Sequence, residues 1–188
     1  VKVEFNDIGR SIRRNASVLE KLGNQNNSQS VSLISIHEHD IPTEFSADAI
    51  DLATNTKPAM LDDNRRDLRN IDLITIDGSD ARDFDDAVWA EKDQTKNNKD
   101  GWRIIVAIAD VAHYVKPGDA LDIEAKKRGN SVYFPDRVIP MLPEALSNGM
   151  CSLRPNEDRA CLAVQITIDK QGKKLSHKFF RALMRSKA

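Results

Sequence analysis

Five aspartates fall within ten residues in the segment Ile76-Asp77-Gly78-Ser79-Asp80-Ala81-Arg82-Asp83-Phe84-Asp85-Asp86-Ala87, and apolar runs flank it on both sides. Like charges at that density repel, so a folded chain must either spread them into solvent or gather them around a cation. The flanking runs, Leu73-Ile74-Thr75-Ile76 and Ala87-Val88-Trp89-Ala90, read as strands. A loop tied at both ends to buried strands favours gathering over a solvated acidic turn. Gly78 permits a sharp exit from the first strand, so the loop can fold back over the strand end. If Asp77, Asp83, Asp85 and Asp86 converge, their mutual repulsion raises several of their pKa values unless a cation neutralises them. Hard oxygen donors with no His or Cys nearby suit Mg²⁺, with Mn²⁺ as the alternative, rather than zinc. Such a cluster binds a phosphodiester through metal ions, acidifies an attacking water and stabilises the leaving oxygen.

Other carboxylate chemistries fit less well. A calcium loop of EF-hand type needs Gly at its sixth position, where this loop has Arg82. An aspartate-based phosphatase needs an apolar strand ending in Asp-x-Asp. Asp83-Phe84-Asp85 has that spacing but follows Ser79-Asp80-Ala81-Arg82, and Asp77 follows an apolar run but has Ser79 two places on. That reading stays as a weaker alternative.

The formal net charge of −1 hides a strong partition. Residues 1–69 sum to −2, residues 70–93 to −6 and residues 94–188 to +7. An acidic centre followed by a basic field suits a site that binds cations and a polyanion together, although charge alone is equally consistent with solvated faces. No apolar run approaches the roughly 20 residues of a membrane span. Cys151 and Cys161 have no zinc-type spacing and read as buried thiols in a reducing cytoplasm.

Along the chain, an amphipathic segment runs from about Ile12 to Leu22, and the polar stretch from Asn24 to Ser30 reads as an exposed loop. Val31-Ser32-Leu33-Ile34-Ser35-Ile36 reads as a short β-run. Ser46 is an N-cap candidate for a helix over Ala47 to Ala53. Ile104 to Ala109 is continuously apolar, as in a strand buried on both faces. Asp119 caps a helix reaching about Arg128 with Gly129 as its stop, and Pro143 suits the first turn of a short helix over Glu144 to Ser147. Leu162 to Ile168, the Asp169-Lys170-Gln171-Gly172 turn and Ser176 to Met184 read as a β-hairpin. The fold class expected is α+β, a strand-rich mixed sheet with inserted helices.

The segment Asp72 to Val88 closely resembles the catalytic signature of the ribonuclease II/ribonuclease R (RNB) superfamily. The likeness continues through Val106-Ala107-Ile108-Ala109-Asp110-Val111-Ala112-His113-Tyr114-Val115, Arg128 to Asp136, Ile139 to Pro143 and Leu146 to Leu153. Upstream, Glu38 to Phe45 resembles the connector that follows the cold-shock domains in this family. The resemblance implies residues 1–69 as the end of a cold-shock module plus connector and residues 70–188 as the first part of an RNB catalytic domain. It implies a parent protein that is a processive, hydrolytic 3′→5′ exoribonuclease acting on the 3′ end of single-stranded RNA and releasing nucleoside 5′-monophosphates. That parent would be a cytoplasmic monomer with no membrane partner, and the fragment alone would be inactive or weak. By similarity Asp77, Asp83, Asp85 and Asp86 surround the Mg²⁺ ions, with Asp77 and Asp86 as direct ligands and Asp85 the residue whose loss is tolerated least. Tyr133 matches an aromatic that stacks on a nucleotide near the RNA 3′ end, and Arg82 can partner the carboxylates or a phosphate. His113 reads as a packed or surface histidine. The alternative from another class is a non-catalytic RNA-binding or assembly module that uses the basic stretch.

Overall fold

A computed structural model describes residues 1–6, 15–23, 28–79 and 81–188. In chain order the strands are β1 (Lys2–Asn6), β2 (Asn15–Glu20), β3 (Arg66–Asp67), β4 (Asp86–Lys92), β5 (Trp102–Ala109), β6 (Val132–Tyr133), β7 (Val138–Ile139), β8 (Asp158–Ile168) and β9 (Lys174–Arg185). The helices are α1 (Ser28–Glu38), α2 (Ala47–Thr54), α3 (Val111–Tyr114) and α4 (Ala120–Arg128), with a short π-helix over Ala145–Met150. Two units divide the chain, one formed by Val1–Phe45 with Arg128–Met141 and the other by Ser46–Lys127 with Leu142–Ala188.

The second unit is built on a five-stranded sheet in the order β3-β9-β8-β5-β4. β4, β5, β8 and β9 run antiparallel and β3 joins β9 in parallel, so the sheet is mixed, as expected. Register explains its two faces. Ala87, Ala107 and Ala163 stand opposite one another on neighbouring strands and are fully buried. This row of small side chains lets the covering residues Leu73, Leu121, Leu146 and Leu153 approach closely and complete the core. The next row, Val88-Val106-Val164-Phe179, faces the other way. That face is only half covered, with Ile108 and Leu162 each 46% exposed and Phe179 64%. The apolar run at Ile104 to Ala109 is therefore buried on one face here and not on both.

Local signals hold at both capped helices. The Ser46 hydroxyl accepts from the Ala49 N–H at 3.4 Å at the start of α2. Asp119 accepts from the Asp122 N–H at 2.8 Å at the start of α4, and Gly129 follows its end at φ +79°. The hairpin β8–β9 pairs as the spacing suggested.

Three local readings are corrected. Val31 to Ile36 is helical, part of α1, not a β-run. The preference of β-branched residues against helix is only tenths of a kcal/mol each, and the helix buries Ser30, Ser32 and Ile36. Gly23, at φ +103°, admits this packing, because a Cβ there would lie 2.5 Å from the Ser30 hydroxyl. Leu73 to Ile76 makes a single bridge, Ile74 to Val88, instead of a full strand. Its other bonds go to the chain end, from Lys187 N–H to Leu73 O and from Thr75 N–H to Ala188 O. After Pro143 the chain winds into the π-helix, closed by Cys151 N–H on Leu146 O at 2.8 Å, in place of an ordinary turn over Glu144 to Ser147.

Within the first unit β1 and β2 pair antiparallel, and β6 pairs with β7. β2 lies within the Ile12 to Leu22 segment, whose beginning, like Asn24 to Asn27 of the polar stretch, lies outside the described residues; the rest of that stretch, Ser28 to Ser30, opens α1 with Ser30 buried and is not an exposed loop. Arg128 stacks its guanidinium 3.7 Å from the Phe45 ring centre and donates to Pro42 O and Glu44 O. Among the described residues no helix is long and apolar enough to cross a membrane.

Candidate active site

The aspartate loop is pinned through its backbone rather than through its carboxylates. Ala81 N–H closes a turn on Gly78 O at 3.0 Å. Ser152, fully buried, then spans the loop with one hydroxyl: it accepts from Phe84 N–H at 3.1 Å and donates to Arg82 O at 2.9 Å. Asp83 lies between the two bonded residues. Leu153 N–H binds Phe84 O at 2.8 Å, and Ala109 N–H, at the end of β5, binds Asp85 O at 2.9 Å. Asp86 opens β4 opposite Ile108. The segment 151–153 and the end of β5 thus fix the course of residues 82 to 86.

Asp85 responds to the charges around it. Partial desolvation, followed by the charges of Asp83, Asp86 and Asp77, pushes the Asp85 carboxyl above the usual carboxylate range. The charges of the other three residues singled out in the sequence thus reach Asp85. Among the described residues no three His, Cys, Asp or Glu side chains come close enough together to hold one ion, and Asp80 lies outside those residues. Burial, with Asp85 and Asp110 adding to it, raises the Cys151 thiol to about 12; burial also holds Cys161 at about 12. Both cysteines are free core thiols.

Two further features escaped sequence reasoning. Asp110, directly after β5, meets Arg65 at 2.8 Å with both side chains 3% exposed, and Arg181 approaches it at 3.5 Å. This buried pair anchors the strand end whose Ala109 N–H holds Asp85. The second is Ser152, whose role depends on contacts 68 and 70 residues away. An Asp placed straight after a fully apolar run was the only sequence signal for either.

Arg82 lines an open cleft of about 740 Å³ beside the loop. Tyr133 lies in the other unit, on β6 opposite Val138, and is 65% exposed. His113 is part-buried on α3, packed edge-on against Tyr114, and its pKa is lowered by burial and then by Arg65.

Residues 65–188 match the RNB domain family model. The whole chain is 47% identical to ribonuclease R of Vibrio parahaemolyticus over 193 aligned residues, and it spans 22% of that protein's length. Its fold is similar to Mycoplasma genitalium ribonuclease R in complex with ribose-methylated single-stranded RNA, with a TM-score of 0.82 and 32% identity. That alignment covers 93% of this chain and 27% of the other. The same enzyme in complex with double-stranded RNA gives 0.81 at 32% identity, covering 93% of this chain and 31% of the other. The aspartate loop, the strands that hold it and the serine that spans it all fall inside the matched segment, and the chain belongs to the RNB domain family.

Proposed function

We propose that this chain carries the metal-binding carboxylates of a processive, hydrolytic 3′→5′ exoribonuclease that degrades single-stranded RNA to nucleoside 5′-monophosphates. The observation that supports the reading is a backbone-pinned loop, inside the segment matching the RNB family, that carries Asp77, Asp83, Asp85 and Asp86 in ten residues. An all-oxygen donor set with unrelieved like charge fits Mg²⁺ or Mn²⁺. Asp77, Asp83, Asp85 and Asp86 would hold the ions, Asp77 and Asp86 directly; once bound, the ions acidify an attacking water and stabilise the departing oxygen. The chain's own residues do the positioning. Ser152, Leu153 and Ala109 fix the backbone on which the carboxylates stand, so little reorganisation is needed when charge develops. Tyr133 offers an exposed ring for stacking on a base near the 3′ end, worth roughly 1–3 kcal/mol and indifferent to sequence. Arg82 supplies a cation for the RNA backbone.

In this reading residues 1–69 are the end of a cold-shock module with its connector, and residues 70–188 belong to a larger catalytic domain. Two free, buried thiols suit a reducing, cytoplasmic setting. The relatives' length supports a parent far longer than this chain, so the chain alone should be inactive or weak.

The test is cleavage of a 5′-labelled single-stranded oligoribonucleotide, with Mn²⁺ binding measured in parallel. Any cleavage should require Mg²⁺ or Mn²⁺, release 5′-monophosphates and vanish in Asp85→Asn, which should also weaken Mn²⁺ binding. Metal-independent cleavage that survives Asp85→Asn, or Mn²⁺ binding unchanged by it, would overturn the reading.

A further inference from the structure

The cleft of about 740 Å³ is lined by Arg82, Phe84, Glu144, Asn148, Arg154 and Glu157, among others. Its volume lies within the roughly 300–1,000 Å³ typical of small-ligand sites. Neither Arg82 nor Arg154 makes a hydrogen bond or ion pair through its guanidinium with the described residues, and both residues are exposed. Two such groups carry ten planar N–H donors, and guanidinium forks match phosphate oxygens in pairs. The carboxylates in the cleft are not equivalent. Glu157 is held by Arg159. Glu144 is exposed and has no partner among the described residues, so the cleft holds one unengaged carboxylate beside two unengaged cations. A bare anion would meet that carboxylate as repulsion. A ligand carrying both a phosphate and hydroxyl donors would use all three groups.

We infer that the Arg82–Arg154 cleft is a ribonucleotide-phosphate subsite, with the two guanidinium groups on a phosphate and Glu144 accepting from a ribose hydroxyl. The inference rests on the exoribonuclease reading for its ligand class, but it concerns a different surface from the carboxylates. The floor and rim are set by the elements that also hold the aspartate loop. Arg82 and Phe84 are the residues bound by Ser152, and the backbone of Gly149 in the π-helix is held by Arg159 Nε at 3.2 Å. A nucleotide seated there lies beside the loop through which Asp83 is presented. The ligand can be a single nucleotide leaving the site or one residue within a bound strand, because both present the same phosphate and ribose.

The experiment measures fluorescence anisotropy of a labelled uridine octanucleotide on the 188-residue chain in EDTA, which takes divalent-ion binding out of play. Uridine 5′-monophosphate, uridine and inorganic phosphate serve as competitors. Arg154→Ala should weaken strand binding about tenfold, the loss expected for a charge-assisted bond pair. It should also reduce the slope of log affinity on log salt by about 0.7. Arg154→Lys should recover part of the affinity, and Lys170→Ala, the same charge change at the β8–β9 turn, should cost less than about twofold. Arg154 is exposed, so far-UV circular dichroism and the melting curve should be unchanged in both of its variants. Competition by uridine 5′-monophosphate but not uridine supports a site for the released nucleotide. Loss of strand binding in Arg154→Ala without competition by the mononucleotide supports an internal strand position. Equal effects of Arg154→Ala and Lys170→Ala, no binding in EDTA, or inorganic phosphate competing as well as the nucleotide would overturn the inference. Because these measurements are made without metal, failure of the carboxylate reading would show separately, in the Mn²⁺ and cleavage experiments.

Discussion

Replacing Ser152 by alanine isolates the part of the account that depends on backbone positioning. The change removes one buried hydroxyl engaged in two bonds, from Phe84 N–H at 3.1 Å and to Arg82 O at 2.9 Å. Alanine keeps nearly the same shape at a fully buried site, so the cavity contribution is small. Each bond contributes about 0.5–1.5 kcal/mol net. The Phe84 amide loses its acceptor and is part-buried, whereas Arg82 borders an open cleft and its carbonyl can regain water. The expected loss is about 2 kcal/mol, or about 1 M in the urea midpoint at an unchanged slope. Hydrogen exchange gives the local readout. The Phe84 amide should exchange at least about tenfold faster, while the Ala107 amide in the centre of β5 should slow or quicken only with global stability. Mn²⁺ affinity should fall with it, because the residue between the two released anchors is Asp83. A stability change under about 0.5 kcal/mol with unchanged exchange at Phe84 would refute the reasoning.

Three other outcomes follow from the same structure. Asp110→Ala leaves Arg65 buried without its carboxylate, and chemical denaturation should show a loss of about 3–5 kcal/mol; a loss below about 1 kcal/mol would mean that Arg65 finds water or another partner. Asp67 is held at about 2, first by the side-chain hydrogen bond from Arg69, so its folded pKa is depressed. Its contribution to stability is therefore present above the unfolded value near 4 and is lost as pH falls through about 2. Carbon-detected NMR titration should return the midpoint toward about 4 in Arg69→Ala, and a midpoint that stays near 2 would exclude the pair as the cause. Phe179→Ser, on the half-covered sheet face, should change stability by less than about 0.5 kcal/mol and reduce binding of an apolar dye. Met184→Ala, fully buried on the other face, should cost about 2–5 kcal/mol by the same denaturation measurement, and the reverse ranking would misassign the core.

What was legible in the sequence was whatever a short window determines. The Ser46 and Asp119 caps, the Gly129 stop and the β8–β9 hairpin all follow from neighbours within a few residues. The aspartate loop stood out because its charge density admits few folded solutions, and the charges of Asp83, Asp86 and Asp77 reach Asp85. The misreadings share a cause. Val31 to Ile36 has strand composition, but its burial against Gly23 and its neighbours selects helix. Leu73 to Ile76 looks like a strand, yet its bonds are divided between Val88 and the residues after β9, so only one bridge forms. Ser152 was invisible as a site residue because its partners lie 68 and 70 positions away, and Arg154 because the cleft it lines also draws on Arg82 and Phe84 from a distant stretch of the chain.

The central claim is that four aspartates on a backbone-pinned loop form a divalent-cation centre. Anomalous diffraction at the manganese edge from Mn²⁺-soaked crystals of the chain tests it most directly. The account predicts a peak bounded by Asp77, Asp83, Asp85 and Asp86 that disappears in Asp85→Asn crystals. A map with no peak at that loop, or with an equal peak in the Asn variant, would contradict it.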